Sequence, residues 1–102
     1  MSDVFSALGD PTRRHLVEAL AQHEATATQL ASELPVTRQA VAKHLVALRE
    51  AGLVESRKQG RETLYHLNPE PLDAATQWLS RIGDEWDARL ERLRGLVRSR
   101  RA

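Results

Sequence analysis

The chain of 102 residues has no cysteine. Disulfides, thiolate metal sites and thiol redox sensing are thereby excluded, and a reducing cytoplasm is the compartment that this composition fits. No apolar run approaches the roughly 18–20 residues that a membrane span requires, and no charged-then-apolar leader is present, so no membrane partner is expected. Histidine numbers only 4, and none follows His66, which rules out a zinc site built from paired histidines late in the chain. There is no Gly-rich phosphate loop and no Ser/His/Asp or Cys/His set in a workable order; neither an enzyme nor a bound cofactor is expected. Linkers, low-complexity tracts and internal repeats are missing too. A single domain follows, and a chain of this length buries roughly 60–70% of its extended surface, enough for one core.

What is present is an ordinary globular mixture, 28% charged and 41% apolar, with a net charge of only +1. The distribution says more than the total. Residues 1–36 carry 2 basic and 5 acidic side chains, residues 37–66 carry 6 and 3, residues 67–86 carry 1 and 4, and residues 87–102 carry 6 and 2. The positive field sits in the middle segment and at the C-terminal end, where a polyanion would be drawn.

Local patterns order the chain. Val4, Phe5 and Leu8 stand at helical spacing before Gly9, which predicts a short first helix. Asp10 is a good N-cap and Pro11 suits the first position of a second helix, whose buried stripe is Leu16, Val17 and Leu20. Thr26 and Gln29 have capping-box spacing and open a helix of barely two turns that ends at Pro35. Thr37 caps the next, with Val41, Leu45 and Leu48 buried and Gly52 placed to stop it in the left-handed conformation. A short helix, the tight connection "LPVT" and a longer helix have the shape of a helix-turn-helix. Beyond Gly52 the period becomes two: Val54, Ser56 and Lys58, then Thr63, Tyr65 and Leu67, predict a hairpin with Gly60 at its tip and Leu64 as the misfit. The last helix is predicted to start at Pro71, with apolar residues at Leu72, Ala75, Leu79, Ile82, Trp86, Leu90, Leu93 and Val97, a mean step of about 3.6. The expected fold is mainly α with a small β-hairpin, a winged helix-turn-helix in the order α-α-α-α-β-β-α. The helix-turn-helix spans about 26–51, the wing about 53–67 and a dimerising C-terminal helix about 71–98.

The capped helix at Thr37 has an apolar middle and a polar, basic leading edge. Such a helix can enter a DNA major groove with its first residues at base edges and its flanks at phosphates. Arg38 carries the fork that donates twice to guanine, and Gln39 matches adenine. Thr37 can cap and still reach a phosphate, while Lys43 and His44 lie further along, suited to backbone oxygens. Arg57, Lys58 and Arg61 surround the hairpin tip, as a wing laid along phosphates requires. Each of these side chains alone is an ordinary solvated cation; their grouping on adjacent elements favours double-stranded DNA as the partner.

The stretches "FSALGDPTRRHLVEAL" and "VTRQAVAKHLVALREAGLVESRKQGRETLYHL", with the long final helix, resemble the ArsR family of winged-helix bacterial transcriptional regulators over nearly the whole chain. That resemblance implies a homodimeric repressor which binds a promoter operator and leaves it when a small-molecule inducer binds. By position it assigns Thr37, Arg38, Gln39, Lys43 and His44 to the recognition helix and Arg61 to the wing tip. This chain has Ala42 where the family often has serine, so operator preference does not transfer. Nor do the family's metal sites: the short helix reads "ATATQLASEL", and the pairs Glu62/His66 and His15/Glu18 are better explained as surface hydrogen-bond partners than as ligands.

The first and last helices are expected to form the homodimer, through Val4, Phe5, Leu8, Leu79, Ile82, Gly83, Trp86, Leu90 and Leu93. Two helix-turn-helix units related by a twofold would read half-sites about one DNA turn apart. Gly83 costs roughly 1 kcal/mol relative to alanine in mid-helix unless a neighbour needs close approach. Trp78 and Trp86 are read as packing residues, and the basic end "RSRRA" as a frayed terminus. The competing readings are a winged-helix protein-interaction module that does not bind DNA and a metal-responsive repressor with a non-standard site.

Overall fold

The computed structural model describes the backbone of residues 4–101 and the side chains of residues 4–96; Val97 and the arginines of the last segment therefore lie outside the described side chains. The elements run α1 (Val4–Ala7), α2 (Pro11–Gln22), α3 (Ala27–Glu33), α4 (Arg38–Glu50), β1 (Val54–Gln59), β2 (Glu62–Leu67) and α5 (Glu70–Arg101). They form two compact units, Met1–Leu72 and Asp73–Ala102.

In the first unit the helix starts are set by side-chain caps. Asp10 accepts from the backbone N–H groups of Thr12 (2.8 Å) and Arg13 (3.1 Å), with Pro11 in the first turn. Thr26 and Gln29 close a reciprocal capping box, the Thr26 amide donating to Oε1 of Gln29 (2.8 Å) and the Gln29 amide to Oγ1 of Thr26 (3.1 Å). Thr37 accepts from the Ala40 amide at 3.1 Å. The end of α4 is a complete Schellman motif. The Leu53 amide reaches the Leu48 carbonyl (3.0 Å), the Gly52 amide reaches Arg49 (2.9 Å), and Gly52 has φ +78°, a conformation costly to any residue with a Cβ.

Leu16, Leu20, Leu30, Val41, Leu45, Leu48, Leu53 and Val54 make the core, each less than 5% exposed. The helices contribute one stripe each, so α2 packs on α4 and β2, and α3 on α4. Val17, expected in the same stripe, is only half-buried.

The strands pair antiparallel from Val54↔Leu67 to Gln59↔Glu62, leaving Gly60 and Arg61 as a two-residue loop. Gly60 has φ +63° and no described non-glycine residue has positive φ, the pattern of a type II′ turn with glycine first. The turn therefore centres on Gly60-Arg61, with Gly60 at the tip as expected. Two contacts absent from the sequence reading tie the hairpin to the helices. Ala25 and Tyr65 exchange backbone hydrogen bonds of 3.1 and 2.8 Å, and Asn68 clasps the end of α4 by donating from Nδ2 to the Gly52 carbonyl (3.0 Å) and from its amide to Leu53 (2.8 Å).

Helix α5 begins at Glu70, one residue before the predicted start. Asn68 Oδ1 accepts from the Glu70 amide (3.4 Å), a local turn that compensates the restriction imposed by Pro71. Its 32 residues make a rod about 48 Å long. In the second unit Leu79, Ile82, Trp86 and Leu93 are 44–57% exposed, and Leu90 is half-buried. A Cβ built on Gly83 meets no described atom within 4 Å, so nothing within the described residues requires glycine there.

Candidate nucleic-acid interface

The leading turn of α4 is displayed by the elements that bury its far side. Val41, Leu45 and Leu48 are at most 1% exposed, whereas Thr37, Arg38, Gln39 and Lys43 all face solvent. A helix held by one flank in this way keeps its first turn rigid while its polar edge stays free to contact a ligand.

That edge forms one wall of a cleft of about 620 Å3. Arg38, Gln39 and Ala42 come from α4, Thr26 to Gln29 from the start of α3, and Arg61, Glu62, Thr63 and Tyr65 from the wing. The two expected readers of base edges and the expected wing-tip cation thus line one concavity. Thr37, Lys43, His44, Arg57 and Lys58 are not among its walls. Thr26 and Thr28 were missed by the sequence reading. The capping box carried the signal, because a cap at Thr26 places Thr28 in the first turn of α3, beside the incoming recognition helix.

One assigned cation is engaged within the protein. Arg57 donates from Nη2 to Glu24 Oε1 at 2.6 Å, which occupies its guanidinium within the protein. His44 is half-buried. The Asp10 carboxyl, which caps α2, is held below the usual carboxylate range. The largest cause of that lowering is the hydrogen bond from the Arg13 amide; desolvation opposes it, and the Thr12 amide and the charges of His44 and Arg13 add to it.

The histidine–carboxylate pairs behave as local contacts. His15 Nδ1 lies 3.6 Å from Glu18, one turn along α2. His66 is paired across the hairpin with Glu55, Nε2 to Oε2 at 3.1 Å, rather than along its own strand with Glu62, because directly opposed residues of a ladder lie closer than residues four apart. Among the described residues no three His, Cys, Asp or Glu side chains converge to hold a metal ion, and no helix is long and apolar enough to cross a membrane.

A capped helix with an exposed leading turn, set beside a hairpin whose basic tip shares its cleft, defines a DNA-binding winged helix-turn-helix protein. The comparisons narrow this class. The family model for a helix-turn-helix domain matches residues 8–57. The HTH-type transcriptional regulator Rv2034 of Mycobacterium tuberculosis is 43% identical over 78 residues, covering 76% of this chain and 73% of that one. The arsenical resistance operon repressor of Escherichia coli is 33% identical over 98 residues, covering 94% and 80%. The solved ArsR-like transcriptional regulator from Rhodococcus sp. RHA1 superposes with a TM-score of 0.84 at 46% identity, covering 94% and 88%. The chain belongs to the ArsR family of winged helix-turn-helix transcriptional regulators, and its activity is DNA-binding control of transcription.

Proposed function

We propose that the protein is a homodimeric repressor that occupies a twofold-symmetric promoter operator in the bacterial cytoplasm and is associated with the nucleoid while bound. The observation that carries this reading is the cleft in which Arg38 and Gln39 of α4 stand with Arg61 of the wing. On insertion of α4 into a major groove, Arg38 and Gln39 take base edges. Thr37, Lys43 and His44 contact the flanking backbone, and Lys58 and Arg61 follow the adjacent phosphates. Repression is the role named for the related arsenical resistance operon repressor, and here it means occlusion of a promoter.

The dimer forms through the stripe of α5, Leu79, Ile82, Gly83, Trp86, Leu90 and Leu93, and through Val4 and Phe5 of α1 and Leu8, which follows it. Large apolar side chains at roughly half exposure favour a second copy as their cover, and an open Gly83 suits close approach of another backbone. Val4, 7% exposed within its own chain, adds little contact area to that surface. An inducer of the operator complex is a small molecule whose recognition does not use thiolate, since the chain has no cysteine.

Selection of bound fragments from the source genome at physiological salt tests the whole reading. The expected product is an inverted repeat whose half-site centres lie about 34–36 Å apart or a multiple of that distance. Absence of any sequence preference over competitor duplex refutes it.

A further inference from the structure

Arg57 and Lys58 are consecutive cations on the wing, yet strand geometry sends them to opposite faces. Lys58 is paired with Thr63, and Thr63 and Tyr65 line the DNA-facing cleft, so Lys58 shares their side of the hairpin. Arg57 is paired with Leu64 and points to the other side. There it crosses β2 to reach Glu24, 33 residues earlier in the chain, at 2.6 Å. The backbone makes the same junction one residue on, where Ala25 and Tyr65 exchange their two hydrogen bonds. Glu55, on the same face as Arg57, meets His66 there. That face therefore sets the carboxylates of Glu24 and Glu55 beside its arginine, with Glu62 on the same side near the tip, where it borders the cleft, an arrangement that disfavours a phosphate backbone at Arg57.

From this we infer that Arg57 is a positioning residue and not a phosphate contact. With Glu24 and the Ala25–Tyr65 bridge it pins the wing to the segment preceding α3, and so fixes the distance between Arg61 at the tip and Arg38 on α4. Lys58 supplies the phosphate contact that the sequence divides between the two cations. The inference rests on the DNA-binding reading above for its consequence, but the pinning itself is a property of the free protein.

Two measurements separate these layers. In the free protein, amide exchange at Ala25 and Tyr65 reports the junction. Glu24→Gln and Arg57→Gln should each accelerate it by up to about fivefold, the size of an exposed ion pair, and the double variant should be no faster than either single one. Binding is then measured against the duplex enriched by the wild-type protein, over a range of salt. Arg57→Gln and Glu24→Gln should both weaken it by a similar factor, up to about fivefold, with the salt slope unchanged, and the exchanged pair Glu24→Arg with Arg57→Glu should recover part of the loss. Lys58→Gln should lower the slope by about 0.9, one phosphate. The opposite result overturns the inference: if Arg57 holds a phosphate, Arg57→Gln flattens the slope by that amount and Glu24→Gln, by releasing the guanidinium, tightens binding. Unchanged exchange in both single variants overturns it as well. If the wild-type protein binds no duplex, the functional reading fails while the exchange data still decide the junction.

Discussion

Thr37 stands where folding and recognition meet, and two substitutions separate its roles. Its hydroxyl oxygen accepts from the Ala40 amide at 3.1 Å, while the side chain remains exposed at the leading edge of α4. Thr37→Ala removes an N-cap acceptor, which costs about 1 kcal/mol, or about 4–8 °C in Tm for a domain of this size. In the proposed docking it also removes a neutral hydrogen bond to DNA, about another 0.5–1.5 kcal/mol at the interface. Thr37→Asp keeps the cap, and its negative charge favours the helix N-terminus, so Tm should stay within about 2 °C of the wild type or rise. Near a phosphate the same charge is unfavourable. At about 4 Å the repulsion is about 1 kcal/mol in bulk water and about 4 kcal/mol at an effective dielectric constant of about 20, so duplex affinity should fall at least about fivefold. Thermal unfolding followed by circular dichroism and fluorescence anisotropy with a labelled duplex read the two quantities. A Thr37→Asp variant that binds DNA as tightly as the wild type refutes the claim that this edge faces the phosphates. An unchanged Tm in Thr37→Ala refutes the claim that the cap contributes to stability.

Other consequences are simpler. Arg38→Ala should cost about 1–3 kcal/mol of specific binding and relax preference at one base pair, measured by competition with single-position operator variants; an unchanged preference removes Arg38 as a reader. Leu45→Ala, at a site 1% exposed, should lower urea stability by about 2–5 kcal/mol, and a loss below about 1 kcal/mol contradicts the anchoring of α4. The Asp10 carboxyl titrates below its reference value of 3.8, so its cap stabilises the fold fully above that pH and is lost as pH falls through the lower folded value. The stability difference between the wild type and Asp10→Asn should therefore be constant above about pH 5 and shrink on acidification; a difference independent of pH contradicts the lowered value.

The helices were legible because their information is local. Asp10, Thr26 and Thr37 each announce a helix start, Gly52 announces a stop, and the apolar stripe between Val41 and Leu48 needs no distant partner to be recognised. The hairpin and its faces were legible too, since the alternating residues from Val54 to Lys58 and from Thr63 to Leu67 lie on one face of the paired strands, whereas the register waited on the length of the turn. What could not be read is what depends on two segments meeting. The ion pair of Arg57 is one such feature, because its partner Glu24 is 33 residues away. His66 was matched with Glu62 on its own strand, and the ladder gave it Glu55 instead. The clasp by Asn68 and the place of Thr28 in the cleft depend likewise on tertiary approach.

Ala42 gives this reasoning its most specific consequence for the operator. It lies four residues after Arg38, on the same face of α4, and it lines the cleft with Arg38 and Gln39. Its methyl group neither donates nor accepts, so in the proposed docking a base pair opposite it would be selected by fit rather than by hydrogen bonding. In a major groove the apolar group available for that fit is the thymine methyl. Replacing thymine by deoxyuridine, one operator position at a time, should weaken binding at the position that Ala42 covers and leave the salt slope untouched, since no phosphate contact changes. Ala42→Ser should abolish that methyl dependence and shift the preferred base, with little effect on non-specific affinity. If selection with Ala42→Ser returns the wild-type motif, and no thymine methyl matters to the wild type, Ala42 faces away from the bases and the docking angle of α4 must be redrawn around Arg38 alone.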